Sequence, residues 1–183
     1  MSNFNNYYVI TGGPGVGKTT LLQHLSDCGF VIVPEDARQI IREQVDSDGD
    51  ALPWENREKY AYLMFEASAE SYQKTKARKK DLVFFDRSII DAVCYMKMEA
   101  ISLDNDMQKT VKSCRYNKTV FLLPPWKEIF KADKERKQTW YEAILTYEQL
   151  KDAYKDAGYE VVEVRRGSVE ERKDFVLGII NGS

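Results

Sequence analysis

The stretch Gly12-Gly-Pro-Gly-Val-Gly17-Lys18-Thr19 decides the fold of this 183-residue sequence. It matches the pattern G-x-x-x-x-G-K-[ST], follows the apolar run Tyr7–Thr11 and precedes a helical pattern at residues 20–25. Glycines let successive backbone N–H groups point into one concavity, and the start of the following helix adds positive potential. A Gly-rich turn alone would explain the glycines but not Lys-Thr at this spacing. The stretch therefore predicts a loop that binds the phosphates of a nucleotide.

The residues of this loop have separate expected roles. The ammonium group of Lys18 would reach the β and γ phosphate oxygens, and the hydroxyl of Thr19 would ligate Mg²⁺. We expect the nucleotide to be bound by Gly13, Pro14, Gly15, Val16, Gly17, Lys18, Thr19 and Thr20.

Four more runs of apolar and β-branched residues follow the first one. They lie at residues 30–33, 82–86, 119–123 and 159–164. Continuous apolar runs are typical of strands buried on both faces, and segments with helical spacing separate them. This alternation predicts a three-layer α/β/α fold with a five-stranded parallel sheet. No linker divides the chain, so we expect one domain over residues 1–183.

The composition argues against several classes of protein. Lys and Arg number 27 and Asp and Glu number 29, so no nucleic-acid or membrane field is implied. No stretch approaches about 18 uninterrupted apolar residues, and no secretory signal begins the chain. Three separated cysteines fit neither a disulfide framework nor a zinc site. We therefore expect a cytoplasmic protein with reduced thiols, of unknown oligomeric state.

A carboxylate closes the third apolar run, Leu82-Val-Phe-Phe-Asp86. P-loop proteins hold the Mg²⁺ shell with an acid at this place, so we expect Asp86 to face the phosphate loop and to share Mg²⁺ with Thr19. Capping of the next helix is the simpler alternative. The following residue, Arg87, can grip an anionic substrate or a transferring phosphoryl group but cannot act as a base. This pair favours transfer to a bound acceptor over attack by water.

A second candidate pair follows the second strand in Val33-Pro-Glu-Asp-Ala-Arg38. Three-residue spacing at a helix start places Glu35 and Arg38 on one face, at the carboxyl edge of the sheet. We expect Glu35 to accept a hydrogen bond from an acceptor hydroxyl and to serve as its base, while Arg38 binds an anionic or carbonyl group beside it. A plain ion pair between them is the alternative, and it would contribute only a few tenths of a kcal/mol.

Several segments together carry a resemblance to a known family. In addition to the phosphate loop, the matching segments are Val33-Pro-Glu-Asp-Ala-Arg38, Val83-Phe-Phe-Asp-Arg-Ser88, Phe121-Leu-Leu-Pro-Pro-Trp126, Lys131-Ala-Asp-Lys-Glu-Arg136 and Val164-Arg-Arg-Gly-Ser-Val-Glu-Glu-Arg172. The chain is similar, over nearly its whole length, to the AAA-domain P-loop NTPase family of the NadR type, close to the small P-loop kinases. The resemblance implies a five-stranded parallel sheet, an ATP or GTP ligand and a lid after the fourth strand. It does not fix the substrate.

The cation-rich segment at residues 127–137 has the position of a kinase lid. Such a lid would bring Arg136, with Lys131 or Lys137, over the transferring phosphoryl group and exclude water. Acidic residues interleave these cations, so a solvated connection between elements is the alternative.

The base of the nucleotide has a candidate contact after the last strand. Arg166 lies where related folds pass the purine ring, so we expect it to stack on the base or contact it. The pair Asn117-Lys118 does not form a guanine-reading N-K-x-D motif, because residue 120 is Val and a strand follows the pair. ATP is therefore favoured over GTP.

These residues support a leading interpretation and a second one. The first is a Mg-ATP-dependent phosphotransferase acting on a small-molecule acceptor such as a nucleoside-like metabolite, since phosphoryl transfer needs mainly positioning and charge. The second is an ATPase or GTPase switch, or a binding module, with a protein or lipid partner. An oligomeric AAA+ motor is disfavoured because the chain has no room for the helical lid domain of such machines.

Overall fold

The computed structural model describes residues 6–76, 78, 81–130 and 139–182. Within these ranges each of the five apolar runs contains a strand. The strands are β1 (Tyr7–Thr11), β2 (Val31–Val33), β3 (Val83–Asp86), β4 (Thr119–Leu122) and β5 (Glu160–Glu163). β1 coincides with its apolar run, and the other four strands are one or two residues shorter than theirs, because the ends of those runs continue into the adjoining loops.

The strands form one parallel sheet in the order β2-β3-β1-β4-β5. The central strand β1 is buried along its whole length, whereas the edge strands β2 and β5 are only partly buried or exposed. In the register between β1 and β3, Ile10 lies opposite Asp86. The predicted sheet is confirmed, and this register brings the end of β3 beside the loop that follows β1.

Seven helices connect and cover the strands within the described residues. They are α1 (Lys18–Asp27), α2 (Asp36–Asp46), α3 (Arg57–Thr75), α4 (Ile89–Met98), α5 (Asn105–Ser113), α6 (Trp140–Asp156) and α7 (Val169–Asn181). Side-chain capping fixes several starts: Ser88 with Asp91, Thr139 with Glu142, and Ser168 with Glu171 each form a reciprocal capping box.

The two faces of the sheet pack against different helices because neighbouring residues of a strand point to opposite sides. Tyr7 and Val9 of β1 lie in a cluster with buried residues of α3, α4, α5 and α6. Tyr8 and Ile10 pack instead with α1 and α7. This gives the three-layer α/β/α arrangement that the alternation predicts. In the described part of the chain, no helix is both long enough and apolar enough to span a membrane.

Candidate active site

The loop between β1 and α1 has the backbone conformation that a phosphate loop requires. Gly12 has φ 148° and Gly17 has φ 80°, a region that side chains with a Cβ rarely adopt. A Cβ on Gly12 would also lie 2.8 Å from the carbonyl oxygen of Leu123. The glycines thus allow the chain to turn tightly beside Leu123 and to enter α1 at Lys18. The first N–H groups of a helix have no acceptor within that helix and point toward the loop that precedes it.

Lys18 of the phosphate loop and Asp86 lie close together at the end of the sheet. The Nζ atom of Lys18 lies 3.8 Å from Oδ1 of Asp86, and the side chains are 7% and 12% exposed. Burial raises the pKa of Asp86, while the charge of Lys18 acts in the opposite direction. The same Oδ1 atom has no hydrogen-bond partner among the described residues.

This pair of residues bears on the expected Mg²⁺ site. A buried carboxylate oxygen without a hydrogen bond is a costly feature of a folded protein unless a ligand uses it. Thr19 and Thr20 are exposed at the start of α1 and so are accessible to a ligand. An oxygen-only set of a hydroxyl, a carboxylate and phosphate oxygens suits Mg²⁺, so Thr19 and Asp86 fit the ion.

A cleft of about 640 Å³ opens above the loop. We call it the phosphate cleft. Its lining consists of Pro14, Gly15, Val16, Gly17, Lys18, Thr19, Thr20, Arg38, Trp126, Glu128, Ile129, Gly167 and Arg172. Seven successive residues of the phosphate loop and the first turn of α1, among them Lys18, therefore share one cleft with two further cationic side chains, those of Arg38 and Arg172. Such an excess of cations suits a polyphosphate.

Arg87 is held by two carboxylates in an unusual backbone conformation. Its φ is 71°, and its N–H donates to the carbonyl oxygen of Ile10 at 3.0 Å. Its Nε donates to Oε1 of Glu35 at 2.9 Å, and its Nη1 donates to Oδ1 of Asp91 at 3.2 Å. Burial lowers the pKa of Arg87, but the nearby carboxylates more than offset it, so the pKa is raised. Arg87 is therefore a fixed cation beside Asp86.

Asp91, in the first turn of α4, joins distant parts of the chain around Arg87. Its Oδ1 atom accepts two hydrogen bonds, one from Oγ1 of Thr11 at 2.5 Å and one from Nη1 of Arg87 at 3.2 Å. Its Oδ2 accepts from the N–H of Ser88 at 2.9 Å and the hydroxyl of Tyr154 at 2.5 Å. The contact with Ser88 follows from the Ser-x-x-Asp spacing of a capping box, which is visible in the sequence. Nothing in the sequence pointed to Thr11 or Tyr154, which lie far away along the chain.

Glu35 and Arg38 are neighbours, yet they face different clefts. Nε of Arg38 lies 3.8 Å from Oε2 of Glu35, so the ion pair of the simpler alternative exists. The side chain of Glu35 is 9% exposed, while that of Arg38 is 41% exposed and lines the phosphate cleft. Glu35 lines a second cleft on the other side. The pairing of Arg38 with an acceptor therefore stays a prediction, and its position favours a contact with the nucleotide.

The second cleft has a volume of about 550 Å³ and mixed chemistry. Its apolar and aromatic lining includes Trp54, Tyr60, Met64, Tyr95, Met98, Leu145 and Leu150. Its charged lining consists of Glu35, Arg57, Arg87, Asp91, Glu99 and Glu142. Pro14 of the phosphate loop lines both clefts. The two clefts thus adjoin at the phosphate loop. The sequence pointed to Glu35 and Arg87 but not to the aromatic walls, which lie on α3 and α4 and in the loop before α3.

Residues after β5 lie beside the phosphate cleft. Nη2 of Arg166 donates to the carbonyl oxygen of Pro125 at 2.7 Å, and Gly167 lines the cleft. Contact of Arg166 with a base remains a prediction. Sequence reasoning assigned no role to Trp126 or Arg172, although both lie in the segments that carry the family resemblance. The expected lid residues Arg136, Lys131 and Lys137 lie outside the described residues, so their roles stay predictions as well.

A model of the AAA domain family matches residues 7–172. The chain belongs to this AAA-domain family. Among solved structures the fold resembles NadR in complex with NR, with a TM-score of 0.71 and 19% identity over 98% of this chain. The match covers 52% of the NadR chain, so this chain spans about half of its length. A comparison with curated proteins gave no significant match.

Two smaller enzymes have similar folds over nearly their whole lengths. Deoxyadenosine kinase from M. mycoides has a TM-score of 0.59 and 17% identity, and the match covers 97% of this chain and 100% of the enzyme. Thymidylate kinase from Ehrlichia chaffeensis has a TM-score of 0.62 and 14% identity, with coverages of 97% and 98%. These likenesses confirm a P-loop kinase-like fold of the NadR type.

Proposed function

We propose that this protein is a Mg-ATP-dependent phosphotransferase whose acceptor is a small molecule with a flat ring and a hydroxyl group, such as a nucleoside-like metabolite. The observation that carries the proposal is the junction of two clefts at Pro14. One is formed around the phosphate loop, and the other adjoins it with Glu35 and Arg87 in its lining. A transferase needs such a pair of sites, whereas hydrolysis needs only one and a water molecule.

The nucleotide would bind along the phosphate loop. Its phosphates would receive hydrogen bonds from loop N–H groups and from Lys18, which balance their charge. Mg²⁺, held by Thr19 and Asp86, would supply further neutralisation of the phosphate oxygens. Arg87 is fixed by two carboxylates and would orient the phosphoryl group or the acceptor without a further change of position.

The acceptor would lie in the second cleft. Its volume is within the range of small-molecule sites, and aromatic side chains beside a few polar groups suit a planar ring that carries hydroxyls. The carboxylate of Glu35 would take the proton of the acceptor hydroxyl. The hydroxyl oxygen then forms a bond to the γ phosphorus, the bond from that phosphorus to the bridging oxygen breaks, and ADP leaves.

The similar folds support this acceptor class. The structures related in fold include kinases of a deoxynucleoside and of a nucleotide. Because identity with them is low, the support extends to the arrangement of two sites and not to a particular acceptor.

The proposal is tested with purified protein, Mg-ATP and a panel of nucleosides, followed by mass spectrometry for new phosphomonoesters. The expected result is one product or a few related products, absent with the Lys18→Ala variant. Consumption of ATP that no member of the panel stimulates, but that a protein or a lipid vesicle does, would favour the switch interpretation and contradict the proposal.

A further inference from the structure

Arg172 is a buried cation for which the described residues supply no carboxylate. Its relative exposure is 6%, although it lies in the first turns of α7. Every other buried charge described above faces an opposite charge: Lys18 faces Asp86, and Arg87 lies between Glu35 and Asp91. The partners of Arg172 are instead the carbonyl oxygen of Gly17 and the ring of Trp126.

The cost of this arrangement indicates a purpose other than stability. A buried charge is normally paired, because removing it from water is costly. Among the described residues, Nε of Arg172 also has no hydrogen-bond partner. Burial lowers the pKa of Arg172, as expected for a cation without a nearby anion. The phosphate cleft, which Arg172 lines together with Lys18 and Arg38, is where an anion would be received.

The contacts of Arg172 reach the phosphate loop itself. Its Nη1 donates to the carbonyl oxygen of Gly17 at 3.2 Å, across 155 residues of sequence. A Cβ on Gly17 would lie 2.8 Å from Nη1, so the guanidinium group packs directly on the last glycine before Lys18. Its centre lies 5.7 Å from the centre of the Trp126 ring, in the distance range of a cation–π contact.

We propose that Arg172 is a positioning residue of the phosphate loop, and that the nucleotide polyphosphate is the counter-ion of its buried charge. It fixes the carbonyl of Gly17, and with it the peptide that leads into Lys18, while Trp126 holds the guanidinium plane. This inference rests on the proposed function because it requires that the phosphate cleft bind a polyphosphate. It adds a residue on α7, at the opposite end of the sequence from the loop.

Arg172→Met tests the proposal, since methionine fills similar space but has neither the positive charge nor the planar set of N–H donors of a guanidinium group. Affinity for Mg-ATP and for Mg-tripolyphosphate, which has no base, should each fall about 10-fold or more, by similar factors. Arg172→Lys keeps the charge and loses the planar fork, so it should recover only part of the loss. Lys173→Met removes the same charge from the next residue of α7. Lys173 pairs with Glu170 and Asp174 and does not line the phosphate cleft, so affinity should stay within about two-fold.

The outcomes separate this inference from the proposed function. If the parent protein binds neither Mg-ATP nor tripolyphosphate, the proposed function and this inference both fall. If the parent binds both ligands and Arg172→Met binds them within two-fold of the parent, only the inference is overturned. Loss of ATP binding alone, with tripolyphosphate binding kept, also overturns it, because Arg172 would then contact the base.

A purely structural role is excluded by a parallel measurement. The methionine variant removes a buried charge and one hydrogen bond to Gly17, whose carbonyl oxygen still accepts from the N–H of Leu21 at 3.3 Å. Its thermal midpoint should therefore stay within a few degrees of the parent value while affinity falls. If the midpoint falls steeply in both Arg172→Met and Arg172→Lys and the lysine variant binds tripolyphosphate normally, Arg172 stabilises the fold and the proposal is wrong.

Discussion

Replacing Asp91 with asparagine should destabilise the protein and misplace Arg87, although the two side chains have nearly the same shape. Oδ1 of Asp91 accepts from Thr11 and Arg87, and Oδ2 accepts from the N–H of Ser88 and from Tyr154. The hydroxyls of Thr11 and Tyr154 can turn and accept a hydrogen bond, but Arg87 and the Ser88 N–H only donate. Whichever way the asparagine amide turns, its NH₂ group therefore faces an obligatory donor.

The size of the effect follows from these contacts. A hydrogen bond to a charged group contributes about 1.5–3 kcal/mol, and a buried donor left without a partner costs about 1–3 kcal/mol. The side chain of Asp91 is only 4% exposed, so solvent cannot replace the lost partner. We expect the free energy of unfolding to fall by about 3 kcal/mol. Because Arg87 loses one of its two carboxylates, turnover should fall on the order of 10²-fold.

Urea denaturation followed by circular dichroism measures the first effect, and product formation measures the second. Asp156→Asn is the matched control, because Asp156 also pairs with a cation, Lys97 at 3.9 Å, but its side chain is 73% exposed. The control should show no measurable change in either quantity. A free energy of unfolding for Asp91→Asn within about 1 kcal/mol of the parent, with normal turnover, would refute the reasoning.

Four further predictions concern the site directly. Lys18→Ala should lose most nucleotide affinity with the fold intact by circular dichroism; unchanged binding would contradict the phosphate-loop assignment. Asp86→Asn should weaken Mg²⁺-dependent turnover more than metal-free nucleotide binding, and an equal loss with and without Mg²⁺ would point to a structural role. Because burial raises the pKa of Asp86 in the absence of metal, the affinity of the parent for Mg²⁺ should begin to fall toward acid at a pH above 3.8, the ordinary value. Glu35→Gln should abolish acceptor phosphorylation with nucleotide binding nearly unchanged. Arg38→Ala should mainly raise the Michaelis constant for the acceptor, whereas a rise in the Michaelis constant for ATP alone would place Arg38 at the nucleotide. Arg136→Ala should lower turnover on the order of 10²-fold at unchanged nucleotide affinity, and normal turnover would remove the lid assignment.

The local features of the site could be read from the sequence because neighbouring residues produce them. The phosphate loop needs only its glycines, the strand before it and the helix after it. The Ser88–Asp91 and Ser168–Glu171 capping boxes each need only a serine and an acid three residues apart, a spacing that is visible in the sequence, and both form. The meeting of Lys18 with Asp86 was also accessible, since the carboxyl ends of parallel strands share one edge of a sheet.

The arrangement around these features required the tertiary structure. Thr11 and Asp91 are separated by 80 residues, and Arg172 and Gly17 by 155, and no periodicity or motif encodes such contacts. The sequence determined that a nucleotide-type loop ends β1 and that an acid and a cation end β3. Packing of α3, α4 and α6 on one face and of α7 on the other decided which side chains line each cleft, because burial depends on where whole elements meet and not on the residues within one element.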